Sequence, residues 1–417
     1  MKELTVLHTS DWHLGHQLYR RKRIDEFEAF LDWLIGVIRE NSVDVVVIAG
    51  DIFDTALPGS ASQKLYYGFL ARVGQAGARH IVITAGNHDS PALLEVAGEL
   101  LRHLNIHIIG MASEDPHKET IVLSDKDGNP ELIVCAAPYL RSRDVCRPEP
   151  GEEIESRERK LLAGIRKHYA EIAAHAQACR EEGGHNVPIL ATGHLFAAGG
   201  QAGDGVRDLY IGSLGQVPAD IFPDIFDYIA LGHLHRPQLV GGRSTCRYSG
   251  SPLAMSFDEA NQQKSVCLVK FSERDPVVET LAVPAFRNLI SIRGGRDEIL
   301  DKLRQMVARN AQPSDVDGWI EITHDGSDHA GDLYNDAVDI IRNEPFDILC
   351  VRIPRQDAPE SQAFAERELE DFSPEEMFSL VMDKNKVGEE ERNELIGAFS
   401  ELLELRSNTV AEAGEQI

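Results

Sequence analysis

The sequence predicts an α/β protein: a parallel βαβ sheet covered on both faces, extended by further strands into a mixed sandwich with helices outside. Three observations carry this. Strand-length apolar runs alternate with amphipathic helix-length segments in the N-terminal part. Several runs are continuous rather than alternating, as in strands buried on both faces. Each stops abruptly at a polar, often glycine-containing turn.

In chain order, Leu4–His8 reads as a strand. Ile24–Arg39 reads as a helix with Phe27, Phe30, Leu31, Leu34, Ile35 and Ile38 on one face. Val43–Ala49 is a buried strand, Ala61–Val73 a helix aligning Leu65, Phe69 and Val73, and His80–Ala85 another buried strand. Pro91–Leu104 reads as one helix, with proline in its first turn and Leu93, Ala97, Leu100, Leu101 and Leu104 facing one way. Shorter strands follow at Ile106–Ile109, Thr120–Leu123 and Leu132–Ala136, then a long charged helix over Glu155–Arg180. Val187–Thr192, Tyr228–Leu231, Arg247–Tyr248, Ser265–Phe271 and Val277–Val283 complete the strands of this part.

Composition shifts near Pro284. Leu289–Ile292, Asp297–Val307, Trp319–Thr323, Leu333–Ile341 and Ile348–Val351 spell strand, helix, strand, helix, strand, a small α+β unit. The stretch from Pro354 to Ser361 reads as a linker. Two amphipathic segments end the chain, one with Met377, Leu380 and Val381, the other with Leu395, Ile396, Phe399, Leu402 and Leu403. The expected domains are 1–284, 285–354 and 355–417. For 417 residues, about 150 residues per domain also gives two or three units.

At 42% hydrophobic residues the chain can fill a core, and no apolar run reaches the ~20 residues that cross a bilayer. The N-terminus lacks a signal-peptide pattern, so no membrane association and a cytoplasmic location are expected. The six cysteines form no C-x-x-C pair, and Cys135, Cys267 and Cys350 sit in apolar runs, which argues against a disulfide framework or thiolate zinc site. A net charge of −26 counts against a free-standing nucleic-acid binder unless local basic groups or a partner meet the phosphates.

The chemistry sits where strands stop. Asp11-Trp12-His13 follows the first strand, Gly50-Asp51 the second and Gly86-Asn87-His88-Asp89 the third; Gly193-His194 and Gly232-His233-Leu234-His235 follow two later ones. Such strand ends are where open α/β sheets bind ligands. Asp, Asn and His without thiolates suit Mn²⁺, Fe or Zn²⁺. Asp11, His13, Asp51, Asn87, His194, His233 and His235 are too many donors for one tetrahedral ion and enough for two ions sharing a carboxylate, a device for displacement at phosphate esters.

Asp11-x-His13, Gly50-Asp51-x-x-Asp54, Gly86-Asn87-His88-Asp89, Gly193-His194 and Gly232-His233-x-His235 resemble the calcineurin-like metallophosphoesterases. Within them, His8-Thr9-Ser10-Asp11-Trp12-His13-Leu14-Gly15, Ala49-Gly50-Asp51-Ile52-Phe53-Asp54, Tyr210-Ile211-Gly212 and Tyr248-Ser249-Gly250-Ser251-Pro252 are similar to the nuclease subunits of SbcCD-type complexes. The likeness is strong through about Pro284 and weaker beyond. It implies a four-layer sandwich with a small DNA-binding cap and a helical tail. It implies that Asp11, His13, Asp51 and His235 hold one divalent ion and Asp51, Asn87, His194 and His233 a second, with Mn²⁺ first and Mg²⁺ as the alternative. His88 would be the general acid, its ring oriented by a carboxylate, Asp54 before Asp89.

The resemblance further implies hydrolysis of DNA phosphodiester bonds in repair and recombination: exonuclease action on duplex ends, endonuclease action on single-stranded or hairpin DNA. It implies a homodimer, through helices Ala61–Val73 and Pro91–Leu104, and an SbcC-type coiled-coil ATPase docked on the C-terminal helices. Thr55-Ala56 replaces the Arg-Gly of the family's protein phosphatases, which removes a phosphate clamp. A cyclic-nucleotide or small-molecule phosphodiesterase is the alternative. Local phosphate contacts are expected from Arg20-Arg21-Lys22-Arg23, from Arg141, Arg143 and Arg147, and from Arg236.

Overall fold

A computed structural model describes residues 3–146, 154–184, 186–197, 216–309 and 317–353. The expected tail helices, the linker, Arg147 and Tyr210-Ile211-Gly212 lie outside the described residues.

The first strands and helices are β1 (Leu4–Thr9), β2 (Gln17–Leu18), β3 (Arg21–Lys22), α1 (Ile24–Glu40), β4 (Val45–Ala49), α2 (Ser60–Ala76), β5 (His80–Thr84), α3 (Pro91–Glu95), α4 (Gly98–Arg102) and β6 (Ile106–Ile109). Then come β7 (Thr120–Ser124), β8 (Pro130–Cys135), α5 (Ser142–Val145), α6 (Ile154–Glu182), β9 (Ile189–His194), β10 (Tyr228–Gly232), β11 (Gln238–Val240), β12 (Arg243–Tyr248), β13 (Ser265–Ser272) and β14 (Asp275–Ala282). The chain continues through β15 (Asn288–Gly294), α7 (Arg296–Arg309), β16 (Gly318–His324), α8 (Leu333–Ile341) and β17 (Phe346–Arg352).

Two six-stranded sheets form, ordered β14-β13-β1-β4-β5-β6 and β11-β12-β10-β9-β8-β7. The strand β1 runs parallel to β4, Val6 opposite Val45, and antiparallel to β13, Val6 opposite Val269. Alternation along the strands sorts the core into layers. Leu7, Val46, Ile48, Ile81 and Ile83 face α1 and α2, while Val6, Val45, Val47 and Val82 face the second sheet, meeting Val134, Leu190 and Ala230. On the far side, Ile133, Ile189, Ile229 and Leu231 pack under α6 through Leu161, Ile165 and Tyr169. Helix, sheet, sheet, helix is the expected four-layer order. The continuous apolar strands are buried on both faces, and two inner faces fill about 10 Å of core.

A third, parallel sheet, β15-β16-β17, is covered by α7 and α8 through Ile292, Ile299, Leu303, Ile320, Ile322, Leu333 and Ala337. All six cysteines are free. Among the described residues no helix is long and apolar enough to cross a membrane.

Two expectations change. The segment 91–104 is two short helices, broken at Val96 and Ala97. Gly98 follows the break, and the Glu95 carboxylate is drawn to the Gly110 N–H at 2.8 Å. Only Leu94 and Leu101 are buried, while Val96, Leu100 and Leu104 are exposed. The basic run 20–23 is not a free arm either: Gln17–Leu18 and Arg21–Lys22 pair as a hairpin across Tyr19-Arg20, both at positive φ. Arg23 is buried in a bidentate pair with Glu26 (3.1 and 2.6 Å), so it is not open to a phosphate.

Candidate metal centre

The parallel strands β1, β4, β5, β9 and β10 deliver their C-terminal ends to one edge, and the expected donors gather there. Backbone bonds from Asp11 N to Gly50 O and from His13 N to Asp51 O, both 3.0 Å, lock the first two loops together. Asp89 ties in the third: its carboxylate accepts from Gly86 N (2.8 Å), Phe53 N (3.0 Å) and Ile52 N (3.2 Å). Burial and the nearby Asp51 charge push the Asp89 pKa up to about 6, against those three donors. Glycine is required where loops touch. A Cβ on Gly86 would overlap Asp51, and one on Gly232 would overlap the Ala49 carbonyl.

Asp11, His13, Asp51, His194, His233 and His235 are all buried, while Asn87, His88 and Asp54 are part-buried. Asp51 stands at the middle. Its Oδ1 accepts from His88 N at 2.9 Å. Its Oδ2 faces His194 Nε2 at 3.2 Å on one side and His13 Nε2 at 3.6 Å on the other. Asp11 Oδ1 accepts from His233 N at 2.8 Å, and Ser10 Oγ, itself 2.8 Å from Ser249 Oγ, donates to Asp11 Oδ2 at 2.5 Å. Ligand atoms of Asp11, His13 and His235 lie within 4.8 Å of one another, as do those of Asp11, Asp51 and His194.

The hydrogen bonds behind the rings set the tautomers. His194 Nδ1 donates to the Ala49 carbonyl at 3.0 Å. Its Nε2 therefore faces Asp51 Oδ2 at 3.2 Å and Asn87 Oδ1 at 3.0 Å. His235 Nδ1 donates to Glu259 Oε1 at 3.1 Å, and His13 Nδ1 faces Asp54 Oδ1 at 3.4 Å. Their two Nε2 atoms then confront each other at 3.2 Å, lone pair against lone pair. His233 Nε2 is buried with no hydrogen bond at all. Bare nitrogens and carboxylate oxygens converging in a buried space are unfavourable without positive charge, so the donor set fits divalent cations. With protein charges alone, one proton answers part of this demand. Burial opposes charge on His194, yet the Asp51 carboxylate holds its pKa up at about 9. Burial likewise opposes ionisation of Asp51, and His194 and His13 outweigh it, holding the carboxyl well below the usual range. Burial lowers His13 and His233.

Backbone strain marks the same residues. Asp11 (φ 54°), His13 (48°), Asp51 (51°) and His233 (105°) all lie in the left-handed region, which non-glycine residues enter at a cost.

The structure corrects one role. Among the described residues no carboxylate bonds the His88 ring; its Nδ1 donates to the backbone carbonyl of Asp54 at 2.7 Å. The Asp54 carboxylate instead contacts His13 and, at 3.0 Å, His16 Nδ1. Burial resists its ionisation, but the two histidines win and keep it charged. Ligand atoms of His88, His13 and Asp51 lie within 4.8 Å of one another. Sequence reasoning missed His16, Glu259 and Lys264. His16 was visible as a histidine three residues beyond His13; nothing about Glu259 or Lys264 set them apart from solvated loop residues.

Among the basic groups, Arg20, Arg21, Lys22, Arg143 and Arg236 are exposed. Arg21 lies 3.8 Å from Asp347 of β17, and Tyr19 bonds Glu321 (2.5 Å) and Arg352 (2.6 Å), so the hairpin is fastened to the small sheet.

Comparison with known proteins matches this geometry. Residues 4–237 match the family described as Calcineurin-like phosphoesterase, and 285–386 match the Type 5 capsule protein repressor C-terminal domain. The chain is 36% identical over 402 residues to the D subunit of the nuclease SbcCD from Escherichia coli K12, covering 96% of this chain and 98% of that protein. It is 38% identical to the Rhodobacter capsulatus counterpart over 64% of this chain and 66% of that one. With the Bacillus subtilis counterpart it shares 36% identity over 64% and 66%.

Proposed function

Because the chain belongs to the calcineurin-like phosphoesterases and, within them, to the SbcD nuclease family, we propose that it is a metal-dependent DNA phosphodiesterase, the nuclease subunit of an SbcCD-type complex. The observation that carries this reading is the convergence of imidazole nitrogens on buried Asp51 and Asp11 at one edge of the sandwich.

Asp11, His13, Asp51 and His235 would hold one ion and Asp51, Asn87, His194 and His233 the other, with Asp51 shared. Two bound ions supply Lewis acidity toward the phosphate oxygens and the attacking water. The chain's own residues do the rest. His88, its Nδ1 committed to the Asp54 carbonyl, presents Nε2 as the proton donor to the leaving alkoxide. Asp54 holds His13, and the Ala49 carbonyl holds His194, so both rings keep Nε2 inward. Four imidazoles among seven donors favour Mn²⁺ over Mg²⁺, which prefers oxygen.

Exposed Arg20, Lys22 and Arg236 border the first metal loop and the His235 loop, and residues 285–354 would cap the DNA there. The ATPase partner supplies phosphate contacts that an acidic chain lacks, docking on the amphipathic segment that carries Leu395, Ile396, Phe399, Leu402 and Leu403. The exposed stripe Val96, Leu100 and Leu104 suits the two-fold contact of a homodimer. A cytoplasmic location follows from a DNA substrate.

Purified protein with Mn²⁺ is the test: cleavage of hairpin DNA and not of a cyclic nucleotide supports the nuclease reading, and the reverse supports the alternative. Truncation after Gln356 is expected to keep metals and cutting of flexible DNA while losing the ATPase.

A further inference from the structure

The Glu259 carboxylate behind His235 is itself one half of a buried charged pair with Lys264. Glu259 is 1% exposed and Lys264 6%. Glu259 Oε2 takes two donors, Lys264 Nζ at 2.6 Å and Met255 N at 2.9 Å. Its Oε1 receives His235 Nδ1 at 3.1 Å. Lys264 Nζ reaches round the same residue, donating to the His235 carbonyl at 3.0 Å and to Ser251 Oγ at 3.1 Å. One ammonium thus holds the backbone of His235 and the carboxylate that holds its ring.

We propose that Glu259, anchored by Lys264, is a positioning residue for His235, fixing the tautomer and angle that point Nε2 at the metal centre. The proposal rests on the two-ion reading above. A purely structural ion pair explains the arrangement less well. A buried pair gains little over apolar packing of the same volume, because taking both charges out of water costs about as much as their attraction returns. What the pair adds is direction: a carboxylate behind a ligating imidazole assigns its proton, makes the far nitrogen more basic and holds the ring in plane. Burial opposes ionisation of Glu259, yet the His235 N–H and the Lys264 charge outweigh it and depress the carboxyl to about 2. The turn that carries Glu259 (Phe257–Glu259) is itself wedged in place, since Phe257 packs with Leu18 and with Trp319 of the small sheet.

The test compares the full chain with Glu259→Gln, Lys264→Met and Lys264→Arg. Histidine ¹⁵N spectra of the EDTA-treated proteins read the His235 tautomer, and calorimetric Mn²⁺ titration reads each ion's affinity. The unmodified chain is expected to show His235 protonated at Nδ1 alone. Glu259→Gln should mix the tautomers and weaken one ion by about 10–100-fold, leaving the other unchanged. Lys264→Met should move in the same direction, and Lys264→Arg should restore most of the affinity. An unchanged tautomer with two unchanged affinities in Glu259→Gln overturns the proposal. If that variant does not fold, an Nε2–H signal for His235 in the unmodified chain overturns it equally. Failure of the unmodified chain to bind two ions would instead remove the metal reading, and the tautomer would still decide the role of Glu259.

Discussion

In the half of the centre formed by Asp11, His13 and His235, both imidazoles lean on carboxylates, Asp54 and Glu259. In the half formed by Asn87, His194 and His233, one imidazole leans on the Ala49 carbonyl and the other has a bare, unbonded Nε2. The first half has a carboxylate behind each of its rings, whereas the second relies on Asp51 for its charge. The difference teaches which ion should be held tightly and which should exchange, and it is open to measurement.

The largest effect is expected from the one residue both halves share. Asp51→Asn should cost at least one ion and nearly all cleavage; metal analysis finding two ions with normal turnover would end the idea of a common bridge. Next comes His88→Gln, which should leave both ions and DNA binding intact while slowing cleavage about 10²–10⁴-fold. Loss of an ion in that variant would make His88 a ligand beside His13 and Asp51, redrawing the first half.

Acidity should separate the halves more gently. On the proposed assignment His194, its pKa held up at about 9 once Asp51 outweighs the penalty of burial, would have to shed a proton to bind metal. Affinity in the second half should therefore fall about tenfold for each unit below pH 9. Burial lowers the His13 pKa, so the first half should hold its ion to more acid pH. Mn²⁺ titrations from pH 6 to 9 showing parallel losses would erase the contrast. The smallest change is expected from Asp54→Asn, about tenfold in one ion's affinity. An equal loss at both ions would mean that the bracing acts on the whole edge rather than on His13.

Much of this centre was legible because its signals are local. Val45–Ala49 and His80–Thr84 end in Gly-Asp and Gly-Asn-His, and the change from β-branched residues to glycine and polar donors can be read without knowing the fold. What escaped depends on distance or on backbone. Glu259 meets His235 from 24 positions further along the chain, and neither it nor Lys264 differs in type from a solvated loop residue. Asp54 was singled out by position, yet its contribution to His88 comes from a carbonyl, which residue type cannot encode. The hairpin at Gln17–Lys22 turns through Tyr19 and Arg20 at φ 47° and 65° without the usual glycine or asparagine, and tertiary bonds to Glu321 and Arg352 hold it. The break at Val96–Ala97 lies inside an apolar run that satisfies helical spacing throughout, so spacing alone could not find it.

The left-handed backbone at Asp11, His13, Asp51 and His233 has a consequence for how this chain can change. Each such position costs about 1–3 kcal/mol relative to a relaxed one, and glycine removes most of that cost. A lineage kept only for folding would drift toward glycine or asparagine there, fastest at position 233, where φ is 105°. A library of this chain sorted for thermal survival would therefore part from one sorted for DNA cleavage first at these four sites.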